Sequence, residues 1–309
     1  MHGKAVAIFS IAVLATCFCG CKSKPGIQEA TPVEKGESAV EYYASQGVMT
    51  EPGKYVGLYD SLPDSVPDLV AVVQGVLVHA GHTWRYGVTL SKDQDPMKDS
   101  PRRVEEILRR IAQMDDRPIA SPRAPGKRLP VVCRHFALLT CSILRHKGYS
   151  ARVRAGFATY FPSGVNENHW ICEYWNRDEK RWVQVDPQLD ETIRTGLKIT
   201  FNPLDLPKGK FLTAGQAWKL CRQGKADPYH FGLNSKFAGI GMVKGLAVHD
   251  LLTLNKFELL PWEGTGKDPS DEVVDRLAEL TELPELHLQE LKGLYAKHAE
   301  FHMPANWQP

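Results

Sequence analysis

One stretch, Arg128 to Asp190, constrains this chain more than any other: RLPVVCRHFALLTCSILRHKGYSARVRAGF, then NHWICEYW, then RWVQVDPQLD. From Cys133 onward, Cys133, Phe136, Ala137, Thr140, Cys141 and Leu144 recur at spacings of three and four, which predicts a helix with one apolar face. Pro130 suits chain entering a helix rather than its middle, and Gly148 suits its end. Cys133 therefore falls in the first turn, where unpaired N–H groups and the helix dipole favour a thiolate and can hold an oxyanion. Cys141, two turns on, lacks that advantage.

Three strands are predicted next. Ala151 to Phe157 alternates Val153 and Ala155 with Arg152 and Arg154, His169 to Trp175 is rich in aromatic and branched residues, and Trp182 to Asp186 sets Val183 and Val185 out of phase with Gln184. The polar run Asn176 to Lys180 reads as a hairpin loop. His169 opens one arm of that hairpin and Asp186 closes the other, so antiparallel pairing brings them to the same end. A cysteine nucleophile, a histidine base and an orienting aspartate are the parts of a thiol acyl-transfer site. His135, two residues after Cys133, lies on another face of the helix and is a poor substitute base.

These residues resemble the transglutaminase-like superfamily. Its pattern is a cysteine-led helix ending in arginine and glycine, an ARV strand, then HxW and VDP. Here these are Cys133, Arg145, Gly148, Ala151 to Val153, His169 with Trp170, and Val185 to Pro187. Val132 stands where many members carry glycine. The resemblance covers the middle third of the chain. It implies an α+β, papain-like fold with a cysteine-led helix on an antiparallel sheet, in which Cys133 is the nucleophile, His169 the general base and acid, and Asp186 the residue that orients the imidazole. It also places HTWRYG, with Trp84, near the cleft; Trp84 is a candidate for the cleft wall, against a plainer role as a packed aromatic. Trp170, beside the histidine, is a second cleft residue. The expected activity is hydrolysis of an amide or peptide bond in a peptide, protein or peptidoglycan-derived substrate. Cross-linking to an amine is the second outcome, because no feature of the sequence marks an amine site and bacterial members of this kind are often suspected proteases. No cofactor is expected.

The chain opens with a lysine, an apolar run from Ala5 to Thr16 and small residues before a cysteine, which reads as a lipoprotein signal over 1–21. The run is too short for an ordinary membrane-spanning helix. Phe18, Cys19 and Gly20 ahead of Cys21 make Cys21 the expected lipidated residue, with Cys17 second, so an exported protein held at a membrane surface is expected. Residues 22–53, rich in Lys, Glu, Pro, Gly and Ser, read as a tether with a short helix in Glu37 to Gln46. Residues 54–266 are assigned to the transglutaminase-like domain and 267–309 to a C-terminal helical extension.

Lysine and arginine total 38 against 36 aspartate and glutamate, a net charge of +2, and give no reason to expect a nucleic-acid partner. No C-x-x-C pair marks a thiol redox protein. An exported location permits a disulfide among Cys141, Cys172 and Cys221, which spacing leaves open. His79 and His82, and later His298 and His302, are spaced suggestively for a metal, but two histidines without a third ligand more often cap or line a core, and no metal site is assigned.

Asp68 to Ala80, Ser100 to Met114, Thr213 to Arg222, Lys244 to Leu254, Ser270 to Leu280 and Pro284 to Phe301 are predicted helices, and Asp227 to Asn234 a loop. The segment 191–266 either shapes the cleft or covers the sheet. A non-catalytic binding module of the cell envelope on the same fold is the competing reading. It separates from the enzyme on whether the Cys133 sulfur and the His169 ring meet.

Overall fold

The cysteine-led helix runs from Cys133 to His146 and is enclosed on every side, with Cys133 through Arg145 all buried. The single apolar face expected of it understates its burial: Arg134, His135, Ser142 and Arg145 on its other faces are also inside. They can be there because each has partners, which is the condition for burying polar groups. In this computed structural model, which describes residues 37–304 and 307–309, the remaining elements are arranged around that helix.

In chain order, α1 (Ala39–Ala44), α2 (Val66–Val76) and β1 (Leu77–His79) precede α3 (Val104–Met114) and β2 (Leu129–Val131). The helix of Cys133 is α4, followed by β3 (Ala151–Ala158), β4 (Asn166–Asn176), β5 (Arg181–Val185), α5 (Glu191–Leu197), β6 (Phe211–Thr213) and α6 (Ala214–Arg222). The chain closes with β7 (Phe231–Asn234), β8 (Phe237–Ala238), α7 (Ile240–Leu254), α8 (Asp271–Leu280) and α9 (Leu288–Lys297). The fold is α+β, with a largely antiparallel sheet in the order β6-β3-β4-β7-β8 and β5 also on β4. A second, two-stranded parallel pair joins β1 to β2, setting His79 opposite Val131. Helix α4 packs on β4 and β3, and α7 packs on β3.

Several boundaries differ from the pattern reading. The helix predicted to Ala80 ends at Val76, because the chain turns into β1 to pair with β2. Asp227–Asn234 is not all loop: Phe231 and Gly232 add a strand to β4 at Asn166 and Glu167. Strand β4 itself starts at Asn166, so His169 stands inside it rather than opening it. The alternation in β3 does not mark a solvent face, since all eight residues are buried. Arg152 and Arg154 are held by ion pairs: Arg152 Nε with Glu173 Oε2 at 2.7 Å, and Arg154 with Asp250 at 2.8–2.9 Å and with Glu173 Oε2 at 3.3 Å.

The stretch 37–53, read from composition as the end of a tether, is part of the folded body. Tyr43 and Met49 are fully buried, and Tyr43 Oη donates to the Leu254 carbonyl at 3.0 Å. Arg145 donates to the carbonyls of Tyr43 and Ala151 and to Thr50 Oγ1, so the arginine near the end of α4 fastens this segment to the core. Two apolar anchors and one buried arginine outweigh a polar composition. Residues 267–309 likewise do not stand apart. Val274 and Ala278 belong to the main core, and Leu277, Leu280, Leu288 and Leu291 pack with Leu251 and Leu252 of α7. Gly36–Pro309 forms one compact unit.

The leader and lipid-site assignments, Cys21 and Cys17 included, lie outside the described residues. Among the described residues no helix is long and apolar enough to cross a membrane.

Candidate active site

Strand register explains how the three chemistry-bearing residues come to one place. Cys172 of β4 pairs with Val185 of β5, so His169, three residues back along β4, and Asp186, one residue past β5, lie toward the same end. There His169 Nε2 donates to Asp186 Oδ2 at 2.9 Å, with both side chains buried. Asp186 is held from other directions as well. Tyr160 Oη donates to the same Oδ2 at 2.6 Å, the Gln188 backbone N–H donates to Oδ1 at 3.0 Å, and the Asp186 N–H donates to the Pro203 carbonyl at 2.8 Å. The carboxylate is thus fixed by three donors, a common way to hold a buried charge.

Cys133 comes from the first turn of α4 and lines the same cavity as His169, and the thiol is among the groups that raise the imidazole's pKa. Burial opposes the charged imidazole, but Asp186 outweighs it, with the Cys133 thiol adding to the effect, and His169 is raised to about 10. The other thiols differ. Cys141 and Cys172 are buried against each other, and burial followed by the Cys141 neighbour pushes Cys172 far up. Cys133, Cys141, Cys172 and Cys221 are all free.

The turn before Cys133 is built by polar groups that pattern reading passed over. Burial, then Arg134, lowers His135 to about 3 and keeps it neutral. Its Nε2 faces the Pro101 carbonyl at 3.0 Å, which assigns the proton there and leaves Nδ1 to accept from the Val132 N–H at 3.4 Å. Arg134 donates to the carbonyls of Arg102 and Glu258. These two residues lock the start of α4, and His135 has no free nitrogen with which to act as a base.

Cys133 and His169 line one cavity of about 400 Å³. Trp170 also lines it, buried, with its ring edge-on to His249 at 5.6 Å. Trp84 does not reach it. That side chain is 65 % exposed, lies under the Arg85 guanidinium at 4.3 Å, and belongs to a separate surface depression with Glu191 and Thr195. Neither role expected of Trp84, cleft wall or packed aromatic, holds, because the 3-10 turn Ala80–Tyr86 carries it to the surface. Just before that turn it is His79 that borders the cavity; its Nδ1 accepts from the Gly81 N–H at 3.2 Å, the capping role expected of it. Burial, then His82 and His169, holds His79 well below the usual histidine range. No cluster of three or more potential metal ligands occurs among the described residues. His298 pairs with Glu300, and His302 with the Tyr295 carbonyl.

Sequence reasoning missed Tyr160, Glu167 and Gln188. Tyr160 has a visible signal in TYFP just after β3, but nothing in the spacing ties it to Asp186. It also missed the far wall, made by Leu233, Phe237, Met242, Pro261 and Trp262 from the segment left open between covering and shaping. That segment shapes the cleft.

Changing Tyr160 to Phe removes one donor to a buried carboxylate while keeping the ring. We expect a loss of about 2 kcal/mol in urea unfolding, since hydrogen bonds to charged groups contribute about 1.5–3 kcal/mol. A change below about 0.5 kcal/mol would show that Asp186 is held by its other partners alone.

Fold and site together define an α+β protein in which a cysteine at the start of a helix and an aspartate-bound histidine on a sheet strand line one cavity. Residues 88–187 match the model of the transglutaminase-like superfamily, so this part of the chain is similar to the core of that superfamily. Cys133, His169 and Asp186 all fall inside the match, and the far wall of the cavity falls outside it. No curated protein and no solved structure matches the chain.

Proposed function

We propose that this protein is a thiol acyl-transfer enzyme that hydrolyses an amide or peptide bond, with Cys133 as nucleophile, His169 as base and acid, and Asp186 as the residue that orients the imidazole. The observation that supports the reading is one cavity lined by both Cys133 and a His169 ring whose Nε2 is already committed to Asp186. With Nε2 occupied, Nδ1 is the ring nitrogen left for the thiol.

In the reaction the Cys133 sulfur adds to the amide carbon, and backbone N–H groups at the start of α4 receive the developing oxyanion. The C–N bond then breaks, the amine leaves with the proton carried by His169, and a thioester remains on sulfur. Water, deprotonated by His169, adds to the thioester; the carboxylic acid leaves and the thiolate is restored. An amine in place of water would give transamidation. We favour water because no feature of the sequence or the cavity marks an amine site. The leader reading, a lipid-bearing Cys21 at a membrane surface, is proposed alongside and rests on the sequence.

Incubation with defined peptide pools, followed by mass measurement of the products, tests the reaction. Hydrolysis appears as gain of one water per cut, transamidation as retention of an added amine, and no product with any pool would count against the enzyme.

The raised imidazole sets a pH dependence. Departure of the amine needs the protonated ring, which a pKa of about 10 preserves through neutrality. The alkaline limb of kcat/KM for peptide cleavage should therefore lie near 10 rather than near the ordinary histidine value of about 6.5. A limb near neutrality would contradict the ion pair.

A further inference from the structure

The cavity that holds Cys133 is walled by chemistry that has no part in the bond-breaking step. At about 400 Å³ it sits toward the small end of ligand pockets, which run to roughly 300–1,000 Å³, so it holds one or two side chains and a short run of backbone. Its far wall carries Leu233, Phe237, Met242 and Trp262, and Met97 closes another side. Several of these are open to solvent in a way that core residues are not: Phe237 is 61 % exposed and Trp262 38 %. Large apolar side chains gathered around a cavity mouth mark a surface that a partner covers.

Charge narrows the partner. Among the described residues no lysine or arginine lines the cavity, and the one carboxylate in its lining is Glu167, which burial pushes up toward the neutral form while His169 opposes. An acidic side chain brought here would meet only the His169 imidazolium, which Asp186 already pairs. An amino group would find only this one reluctant carboxylate. What the walls leave for polar groups is suited to a peptide backbone: Asn168 and Gln188 line the cavity, and each has a buried amide oxygen without a partner among the described residues.

We infer that the substrate is a peptide or protein segment that places a large apolar or aromatic side chain against Phe237 and Trp262, next to the amide that Cys133 attacks. The alternative source of amides, a peptidoglycan stem with its small and charged side chains, fits this lining poorly. The inference rests on the proposed thiol chemistry and adds the class of substrate to it.

The test uses two chloromethyl ketones of equal length, one bearing a phenylalanine side chain and one bearing glycine, with iodoacetamide as the size-neutral control and mass spectrometry to locate the label. Cys133 should react with the phenylalanine probe at least about tenfold faster than with the glycine probe, the discrimination that an apolar pocket gives for a large side chain. In Phe237→Ser and Trp262→Ser, two surface positions that the core does not need, the phenylalanine-to-glycine ratio should fall severalfold. Equal rates for the two probes on a Cys133 that iodoacetamide labels readily would overturn the substrate class and leave the nucleophile standing. Faster cutting of peptidoglycan stem peptides than of phenylalanine-bearing peptides would overturn it also. No labelling of Cys133 by any reagent, with the fold intact by circular dichroism, would overturn the thiol chemistry and this inference together.

Discussion

Peptide cleavage by a Cys133→Ala variant should fall by about 10⁴-fold or more, the scale seen when the nucleophile of a concerted device is removed. The loss is chemical rather than structural. Cys133 is a small buried side chain at the first turn of α4, and alanine fills nearly the same space while keeping the helix start fixed by Arg134 and His135. Thermal unfolding should therefore shift by little, and the Tyr160–Asp186–His169 chain of hydrogen bonds should stay in place. With no thioester possible, the residual rate would come from binding and from the oxyanion site alone. Product counted by mass spectrometry against the wild type checks this. Equal product from both proteins would remove Cys133 from the mechanism and point to a contaminating activity or to another nucleophile. His169→Ala should lose a comparable amount, because thiol and imidazole act as one unit and their losses do not add.

The largest effect on stability should come from Arg154. This arginine is buried and binds Asp250 through two nitrogens at 2.8 and 2.9 Å, Glu173 at 3.3 Å and the Thr281 carbonyl at 2.8 Å. Burial disfavours the charge, but Asp250 and then Glu173 outweigh it and raise the Arg154 pKa. Arg154→Ala leaves the fully buried Asp250 without its cation and should cost about 3–5 kcal/mol, as breaking a buried pair by one partner does. At about 2–4 °C per kcal/mol for a domain of this size, the melting temperature should drop by roughly 10 °C. Replacing both charges, Arg154→Met with Asp250→Leu, should recover most of the loss, because it is the orphaned charge that is expensive. A single variant that melts with the wild type would show that Asp250 finds another partner. The same network sets an acid limit. Burial works against ionised Glu173, but Arg154 and Arg152 outweigh it and lower it to about 2. Its contribution to stability is complete above the ordinary carboxylate range and is lost as pH falls toward 2.

How much of this was legible in the letters depends on whether the determining contact is local. The start of α4 at Cys133, its end at Gly148, and the hairpin that brings His169 to Asp186 follow from spacing and strand pairing, and they stand in the structure. Tyr160 was not legible, because its bond to Asp186 spans 26 residues and crosses from the end of one strand to the end of another. The burial of Arg152 and Arg154 was not legible either, because alternation identifies a polar side but cannot see the acids on α7 and β4 that pair with it. Trp84 was misplaced for a related reason: a short 3-10 turn rotates it outward, and such turns leave little trace in periodicity. The tether was drawn about 17 residues too long because composition measures average polarity, whereas Tyr43 and Met49 dock as individuals.

The thiol, imidazole and carboxylate lie between positions 133 and 186, while the wall formed by Leu233, Phe237, Met242 and Trp262 comes later in the chain and beyond the family match. The proposed chemistry and the proposed selectivity therefore fall on separate stretches of polypeptide. Under the proposed function, the later stretch could be rewritten, by exchange of the short hairpin that carries Leu233 and Phe237, to change which partners are admitted while the residues proposed for the chemistry stay as they are.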